Sequence, residues 1–483
     1  MAKTAVVAAA GPVSHDGRAL NTARALRGLG YEVTLLWADD NATDMSDAVC
    51  GGFRSVGLPV AHHLSDDARQ RAAARLRRLE ARPAFAIGYQ NQAARRTRAA
   101  ELAARAARQP TDAVPPGLRL AQLVHRLRSR ALSYRTDRLA ARRLAAIARP
   151  GGWRRELAEV ADLAGVFTPW LVEFGPAVIH LADFSLLAAG AQAKRRLASR
   201  GKAAALVYDA RQDLGVWRQS AIYQRAANEA MERELAPQAD RLVAAAGELA
   251  DSMQRRLNLP ARPTVVLNAP AALAAAAAGA AVAGLRQAVG LPPGVPLLVY
   301  SGVIEPGRDL PAVIAALGLV EDAHLALVAV PRPGTPGPAA LQAVAAAAGV
   351  ASRLHVAAAV APDQVTAFLA SADVGIDARA ADAAGQENRL PGKVFDYLGA
   401  GLPVALAGNP AERAFVQQTG LGLVFDLASP ADIARVLRQV LASRDQFAAR
   451  AADADLRRRY SWQTQAEALA AVYRSLDHSP EAP

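Results

Sequence analysis

The 483-residue sequence is poor in cysteine, in aromatic residues and in long apolar runs, and each shortage excludes something. The single Cys50 cannot close an internal disulfide, and no CxxC pair or Cys/His cluster offers a structural zinc site, so the chain reads as belonging to a reducing, cytoplasmic compartment. Aromatic residues make up 5% against 52% hydrophobic residues dominated by Ala, which favours close-packed helices over an aromatic-rich sandwich. No apolar stretch reaches the roughly 18 residues, with suitable flanks, that a membrane-spanning helix needs, because the Ala-rich runs are too weakly hydrophobic. The opening MAKTAVVAAAG is too short for a secretory signal and is followed by PVSHDGR rather than a small-residue cleavage pattern. A soluble or peripheral protein is expected. No GxGxxG follows the first apolar run, so a bound dinucleotide is not implied.

What the sequence does have is length and unevenly placed charge. A chain this long carries more apolar surface than one core uses, which predicts two domains. Its formal charge is +12, but residues 69–155 hold 22 Arg, no Lys and four acids (Glu80, Glu101, Asp112, Asp137), a net of +18, so the rest of the chain is net −6. Within that segment Leu120, Leu123, Val124, Leu127, Ala131 and Tyr134 recur at helical spacing, with Arg119, Arg126, Arg128 and Arg130 off the stripe. A basic amphipathic helix results, suited either to a solvated hairpin or to an anionic lipid surface. Nucleic acid is not expected as a partner, because the aromatics that stack on single strands are not interleaved with the charge.

TAVVAAAG, PVSHDG, RALNTARALRGLG and YEVTLLW read as strand, loop, helix and strand, the first strand a continuous apolar run of the kind buried on both faces. Gly30 stands where a left-handed cap ends the helix. After a loop with His62 and His63 and the basic stretch, α/β order resumes with PAVIHLAD, ALVYDA, RLVAAAG and PTVVLNAP as strands. Residues 269–290 are rich in Ala and read as an interdomain linker or a poorly specified helix. A second series follows in VPLLVYSG, HLALVAV, RLHVAAAV, ADVGIDA, LPVALAG and LGLVFD. The pattern predicts two Rossmann-like, doubly wound α/β domains facing across a cleft. They span 1–268, with a basic helical insertion at about 69–155, and 291–458; residues 459–483 form a helix crossing back to the first domain. That crossing makes a hinge, so cleft closure is expected.

The runs DGRALNTARALRGLGYEVTLL, PAVIHLADFSLLAAG, LVYDARQDL, ADRLVAAAGELADSMQRRLNL, VVLNAP, YSGVIEPGRDLPAVIAAL, ADVGIDA and LPGKVFDYLGAGLPVALAG together resemble glycosyltransferase family 4. The resemblance covers most of the chain outside the basic insertion and the linker. It implies the GT-B fold and a retaining transfer of a hexose from a nucleoside-diphosphate sugar to a glycan or lipid-linked acceptor, in surface polysaccharide or glycolipid synthesis. In the resembling proteins LPxKxFEYLAxGxPV holds the donor. By that match Pro391, Gly392 and Lys393 open a helix whose N–H groups and positive end face a diphosphate, Arg308 also grips it, and Gly302 permits close backbone approach. These charges stabilise the leaving nucleoside diphosphate, as a metal does in other transferases, so no metal and no cofactor beyond the donor substrate is expected. Asp396 stands where the family has a Glu on the ribose hydroxyls. Asn388, with Glu387 beside it, stands eight residues upstream, where the first Glu of an E-x7-E pair is often found.

The same resemblance makes His180, Asp183 and Asp209 the candidate catalytic residues. PAVIHLAD resembles VIHAHD with Ala182 in place of the second His, and LVYDARQDL resembles VYDAHEL with Arg211 in place of His. A retaining transfer need not use a strong protein base, since the leaving phosphate can accept the acceptor's proton. His180 at a strand end also reads as a packed histidine. Asp16 and Arg18 are expected to face the cleft, and Asp16 also suits a helix cap. Glu229 and Glu232, beside Arg225 and Arg233, read as a solvated helix face, and Asp453-x-Asp455 is not taken as a metal site. Two rivals stay open: a GT-B sugar-nucleotide epimerase, which needs further acid/base groups, and a non-catalytic GT-B subunit binding membrane or a partner transferase, which Ala182 and Arg211 keep in play. The expected partners are the donor, the acceptor and the anionic inner face of the cell membrane, reached through the Arg-rich insertion.

Overall fold

The computed structural model describes residues 3–67, 70–71, 120, 123–124, 138, 140–215, 222–269, 283–304, 308–330, 337–361, 364–379 and 390–476. The larger of two compact units takes in Met1–Val60, Leu163–Arg225 and Glu232–Pro483, and its strands form two sheets.

The first sheet has the order β3-β4-β2-β1-β5-β6-β7-β8, from β1 (Thr4–Ala9), β2 (Glu32–Asp39), β3 (Ser46–Cys50), β4 (Phe53–Pro59), β5 (Val178–Leu181), β6 (Ala205–Ala210), β7 (Arg241–Ala244) and β8 (Thr264–Val265). All its neighbours are parallel except β3 and β4. That hairpin turns on Gly51 and Gly52, both in the left-handed region (φ 58° and 82°), the backbone that lets a two-residue loop match the strands' twist. The second sheet, β11-β10-β9-β12-β13-β14, is parallel throughout and comprises β9 (Leu297–Val303), β10 (His324–Val330), β11 (Leu354–Ala358), β12 (Val374–Asp377), β13 (Val404–Leu406) and β14 (Gly422–Val424).

Both sheets reverse their winding direction once, at β1/β5 in the first and β9/β12 in the second. In open α/β sheets the crevice beyond the strand ends at such a switch point is where ligands bind. The strands are parallel because helices return the chain each time, and both faces are then covered, which is why Ala5, Val6, Val7 and Ala8 of β1 are all fully buried.

Six helices matter for the site: α1 (Gly17–Gly28), α2 (Leu187–Ala198), α3 (Leu310–Leu317), α4 (Gly392–Gly399), α5 (Pro410–Thr419) and the last one, α6 (Trp462–Leu476). Helix α1 begins at Asp16, whose Oδ1 accepts from the Ala19 amide, and ends just before Gly30 at φ 85°. Gly190 on α2 lies against β5 and β6: a Cβ there would stand 2.6 Å from the Leu181 side chain, so only glycine lets the helix pack this close. Although α6 follows the second sheet in sequence, Trp462, Leu469, Val472 and Tyr473 join the core around β1 and α1 with Ala5, Val7, Ala23 and Leu26. Burying each such side chain contributes about 1.5–3 kcal/mol, enough to tie the chain's last helix to its first lobe.

The second compact unit consists of Ala61–Asp162 with Ala226–Met231. Among its described residues Asp162 accepts from the Leu64 and Ser65 amides at 3.0 and 2.9 Å, and Arg143 pairs with Glu156. Most of the basic stretch and the Ala-rich residues 270–282 lie outside the described residues. Among the described residues no helix is long and apolar enough to cross a membrane.

Candidate functional site

At the switch point of the second sheet, charged side chains from four segments meet. Asp377 ends β12 with no solvent exposure, and its Oδ1 accepts from Lys393 Nζ at 2.8 Å and from Arg308 Nη1 at 3.3 Å. Arg379 brings its Nε to 3.8 Å from Oδ2. Arg308 sits just before α3 and is tied to the end of β12 by a bridge to Arg379 and by the Asp309 amide donating to the Ala378 carbonyl at 2.8 Å. Lys393 is the second residue of α4, and its ammonium lies 3.9 Å from the centre of the Tyr300 ring. Gly302, at φ 135°, backs it: a Cβ there would stand 3.5 Å from Lys393 Cε, in a conformation side chains rarely adopt.

Burial raises the Asp377 carboxyl, but Lys393, Arg308 and Arg379 outweigh it and hold the group well below the usual carboxylate range. Burial pushes Lys393 down to about 8, with Asp377 pulling the other way. Glu412 of α5 reciprocates the cap of its own helix, accepting from the Gly408 and Asn409 amides at 2.9 and 3.2 Å. Burial, then the charge of Asp377, push the Glu412 carboxyl well above its ordinary range. Lys393, Arg308 and Arg379 thus stand around the carboxylate of Asp377. Cationic side chains gathered in a crevice favour the approach of an anion.

Pro391 is the N-cap of α4 and supplies no side-chain cap to the first turn, whose amides are left pointing out of the helix end. Gly392 and Asp396 of α4 line a cavity of about 1330 Å³ together with first-lobe residues that include Gly11, Asp16, Asp183 and Arg211. Asn268, on the segment between the sheets, also lines it and would lie 3.4 Å from a Cβ on Gly392. Neither Lys393 nor Arg308 is on that wall; the cluster adjoins the cavity through Gly392, the residue before the lysine. Burial raises the Asp396 carboxyl to about 7, with Lys393 opposing. Asn388 and Glu387 lie outside the described residues.

The first lobe's candidates divide. Asp183 lies on the cavity wall and its Oδ1 accepts from the Ser185 amide and hydroxyl at 2.8 and 2.7 Å. His180 and Asp209 are behind the wall, at 0% and 1% exposure. Asp209 takes both arms of the Arg18 guanidinium, at 2.6 and 2.7 Å, and His180 Nε2 stands 3.6 Å from it. His180 Nδ1 shares a hydrogen bond of 2.9 Å with the Tyr473 hydroxyl of α6, and the third Arg18 nitrogen donates to the Val266 carbonyl at 2.7 Å. Burial pushes His180 down, so its ring is neutral at neutral pH; burial raises Asp209, but Arg18 and His180 hold it well below the usual range. Asp16 serves twice, capping α1 with one oxygen and accepting from Arg211 at 2.6 Å with the other.

Glu232 is not on a solvated face. It is fully buried, accepting from the Tyr208 hydroxyl at 3.0 Å and from Arg256 at 2.6 Å, because a helix packed on a parallel sheet turns that position inward. Asp453 caps the short helix Ala454–Arg459 through the Asp455 and Leu456 amides. Sequence reasoning missed Asp377, Arg379 and Glu412. The available signal was an acid closing the apolar run ADVGIDA: a charge at the end of a strand buried on both faces needs a partner.

No protein-family model matches the chain, and no curated protein matches it in sequence. Solved structures do match in fold. The sucrose-phosphate synthase of Thermosynechococcus elongatus superposes with a TM-score of 0.63 at 13% identity, over 98% of this chain and 99% of that one. Anabaena HepE in complex with UDP and glucose gives 0.58 at 13% identity over 98% and 100%, and a glycosyltransferase from Rickettsia africae gives 0.53 at 8% identity over 99% and 100%. The chain has the GT-B fold.

Proposed function

We propose that this protein is a glycosyltransferase that moves a hexose from a nucleoside-diphosphate sugar to a glycan or lipid-linked acceptor with retention of configuration, without a metal. The observation that carries the reading is the convergence of Lys393 and Arg308 on one point at a sheet switch point, beside a helix end that opens on the cavity. The fold shared with sucrose-phosphate synthase and with UDP-bound HepE supports a nucleotide-sugar donor, and UDP is the first probe.

In this reading the donor's diphosphate lies against Lys393, Arg308 and the first turn of α4. As the bond to the sugar breaks, negative charge grows on the leaving phosphate, and fixed cations in a water-poor site stabilise that charge more than they stabilise the ground state. Asp396, beside Gly392, takes the ribose hydroxyls once ionised. The acceptor enters from the first lobe past Asp183, Asp16 and Arg211, and the leaving phosphate takes its proton. His180 and Asp209 act from behind, as a pair that fixes the end of β5 and hence Asp183. Donor hydrolysis or transfer by purified protein tests this: both are lost in Lys393→Ala and Arg308→Ala, and activity retained in the two variants overturns the site. A thermal-shift screen against UDP-, GDP- and ADP-sugars identifies the base, since a ligand at a hundred times its Kd adds about 2.7 kcal/mol.

A non-catalytic subunit is the second reading, favoured by the burial of His180 and Asp209 away from the cavity. It predicts UDP-sugar binding with no turnover. Membrane docking through the basic segment is part of the proposal, and the exposed Leu120, Leu123 and Val124 support it, at 61%, 52% and 36% exposure. Co-sedimentation with anionic vesicles, with and without residues 69–155, decides it. Equal pelleting excludes the segment as the anchor.

A further inference from the structure

The donor chemistry accounts for two cations but not for the acid between them. Asp377 is fully buried, follows the apolar Val374–Ile376 and presents one oxygen to both Lys393 and Arg308. The two cations come from separate segments, the start of α4 and the approach to α3, and two like charges in a low-dielectric site repel unless an anion stands between them.

We propose that Asp377 is a positioning residue of the donor site: its carboxylate gathers Lys393 and Arg308 to one point at the end of β12, so that a diphosphate meets cations already assembled. This rests on the donor reading above.

The surroundings fit that role from every side. Tyr300 of β9 covers the lysine ammonium and Arg379 flanks the far carboxylate oxygen. Asp396 and Tyr397 lie on α4 itself, both pushed up by burial, and Asp396, at about 7, becomes an anion only across the same pH range. Burial and the charge of Asp377 push the Glu412 carboxyl of α5 well up. The ammonium, drawn down to about 8 by burial and by the two arginines, is kept charged at neutral pH chiefly by Asp377. Removing that charge acts on an entering anion in two opposite ways. It lifts a repulsion at every pH, and it lets Lys393 lose its proton earlier, an effect that grows as pH rises. The pH slope therefore separates positioning from mere structural support.

The test is UDP binding by calorimetry from about pH 6 to about pH 9, across the lysine transition, for the wild type, Asp377→Asn, and Asp377→Asn with Glu412→Gln. The double variant prevents Glu412 from ionising in place of the lost carboxylate. In parallel, the chain's four lysines are labelled by reductive methylation with carbon-13 and titrated by NMR, the Lys393 signal being the one absent from Lys393→Ala. The ratio of wild-type to variant affinity is expected to rise about tenfold across the range, and the Lys393 transition to fall by about one to three pH units, the size an adjacent opposite charge imposes. A weakening equal at all pH values, an unchanged affinity, or an unmoved Lys393 transition overturns the inference while leaving the donor site standing. Wild-type protein that binds no UDP at any pH overturns the donor reading and this inference with it.

Discussion

Two polar clusters, one at each sheet, are built from similar parts and differ in what is gathered round the carboxylate. In the first lobe one guanidinium, Arg18, meets one carboxylate, Asp209, bidentately, and the neutral His180 and the Tyr473 hydroxyl complete the network. In the second, Lys393, Arg308 and Arg379 surround Asp377, and burial and the charge of Asp377 push the nearby Glu412 carboxyl up. A buried guanidinium held on two sides by one carboxylate behaves as architecture, because removing either partner leaves a charge uncompensated. Lysine and arginine side chains drawn together at a sheet switch point give an entering anion charge to meet.

Four measurements break or sharpen that contrast. The largest effect is expected from Lys393→Ala, which lowers donor hydrolysis or transfer about a hundredfold or more by removing charge from the leaving group, with little change in unfolding midpoint. Arg18→Met is the converse: it leaves Asp209 buried and unpaired, and denaturant unfolding should show a loss of about 3–5 kcal/mol. If instead Arg18→Met is stable and inactive, the first cluster is a site and the contrast fails. Third, Gly302→Ala should cost about 1–3 kcal/mol for its backbone conformation and weaken UDP binding by shifting the strand end that backs Lys393, read by the same two assays.

The smallest effects are in pH. Asp396 ionises as pH rises through about 7 and Lys393 loses its proton through about 8, so UDP affinity should climb to the first value and fall beyond the second. Asp396→Asn removes the acid limb only. For the first cluster the sign is that of a depressed carboxylate. The stability from Asp209 is complete above its unfolded value, near pH 4, and is lost as pH falls through its folded one, with no change between 7 and 8.

Much of the fold was legible because parallel strands buried on both faces must be apolar throughout. TAVVAAAG and VPLLVYSG announce the strands at the two switch points for that reason. The hairpin of β3 and β4 was passed over: its outer strand SDAVC is largely exposed and carries no run, and only the Gly51–Gly52 turn marks it. Within the site, the LPGKVFDY segment could be placed on a helix end because Pro, Gly and Lys in that order have a local meaning. Asp377 and the Arg18–Asp209 pair could not, since their meaning lies in partners 16 and 191 residues away. Glu232 misled for the same reason: its helix shows charges at regular spacing, and only the sheet beneath decides which of them turns inward.

The segment joining the two sheets is clamped twice in succession. Arg18 holds the carbonyl of Val266, and the Gln465 side chain of α6 accepts from the amide of Leu267 at 2.8 Å. The next residue, Asn268, lines the cavity, so the segment between the sheets runs straight from its two clamps to the place where a ligand would touch it.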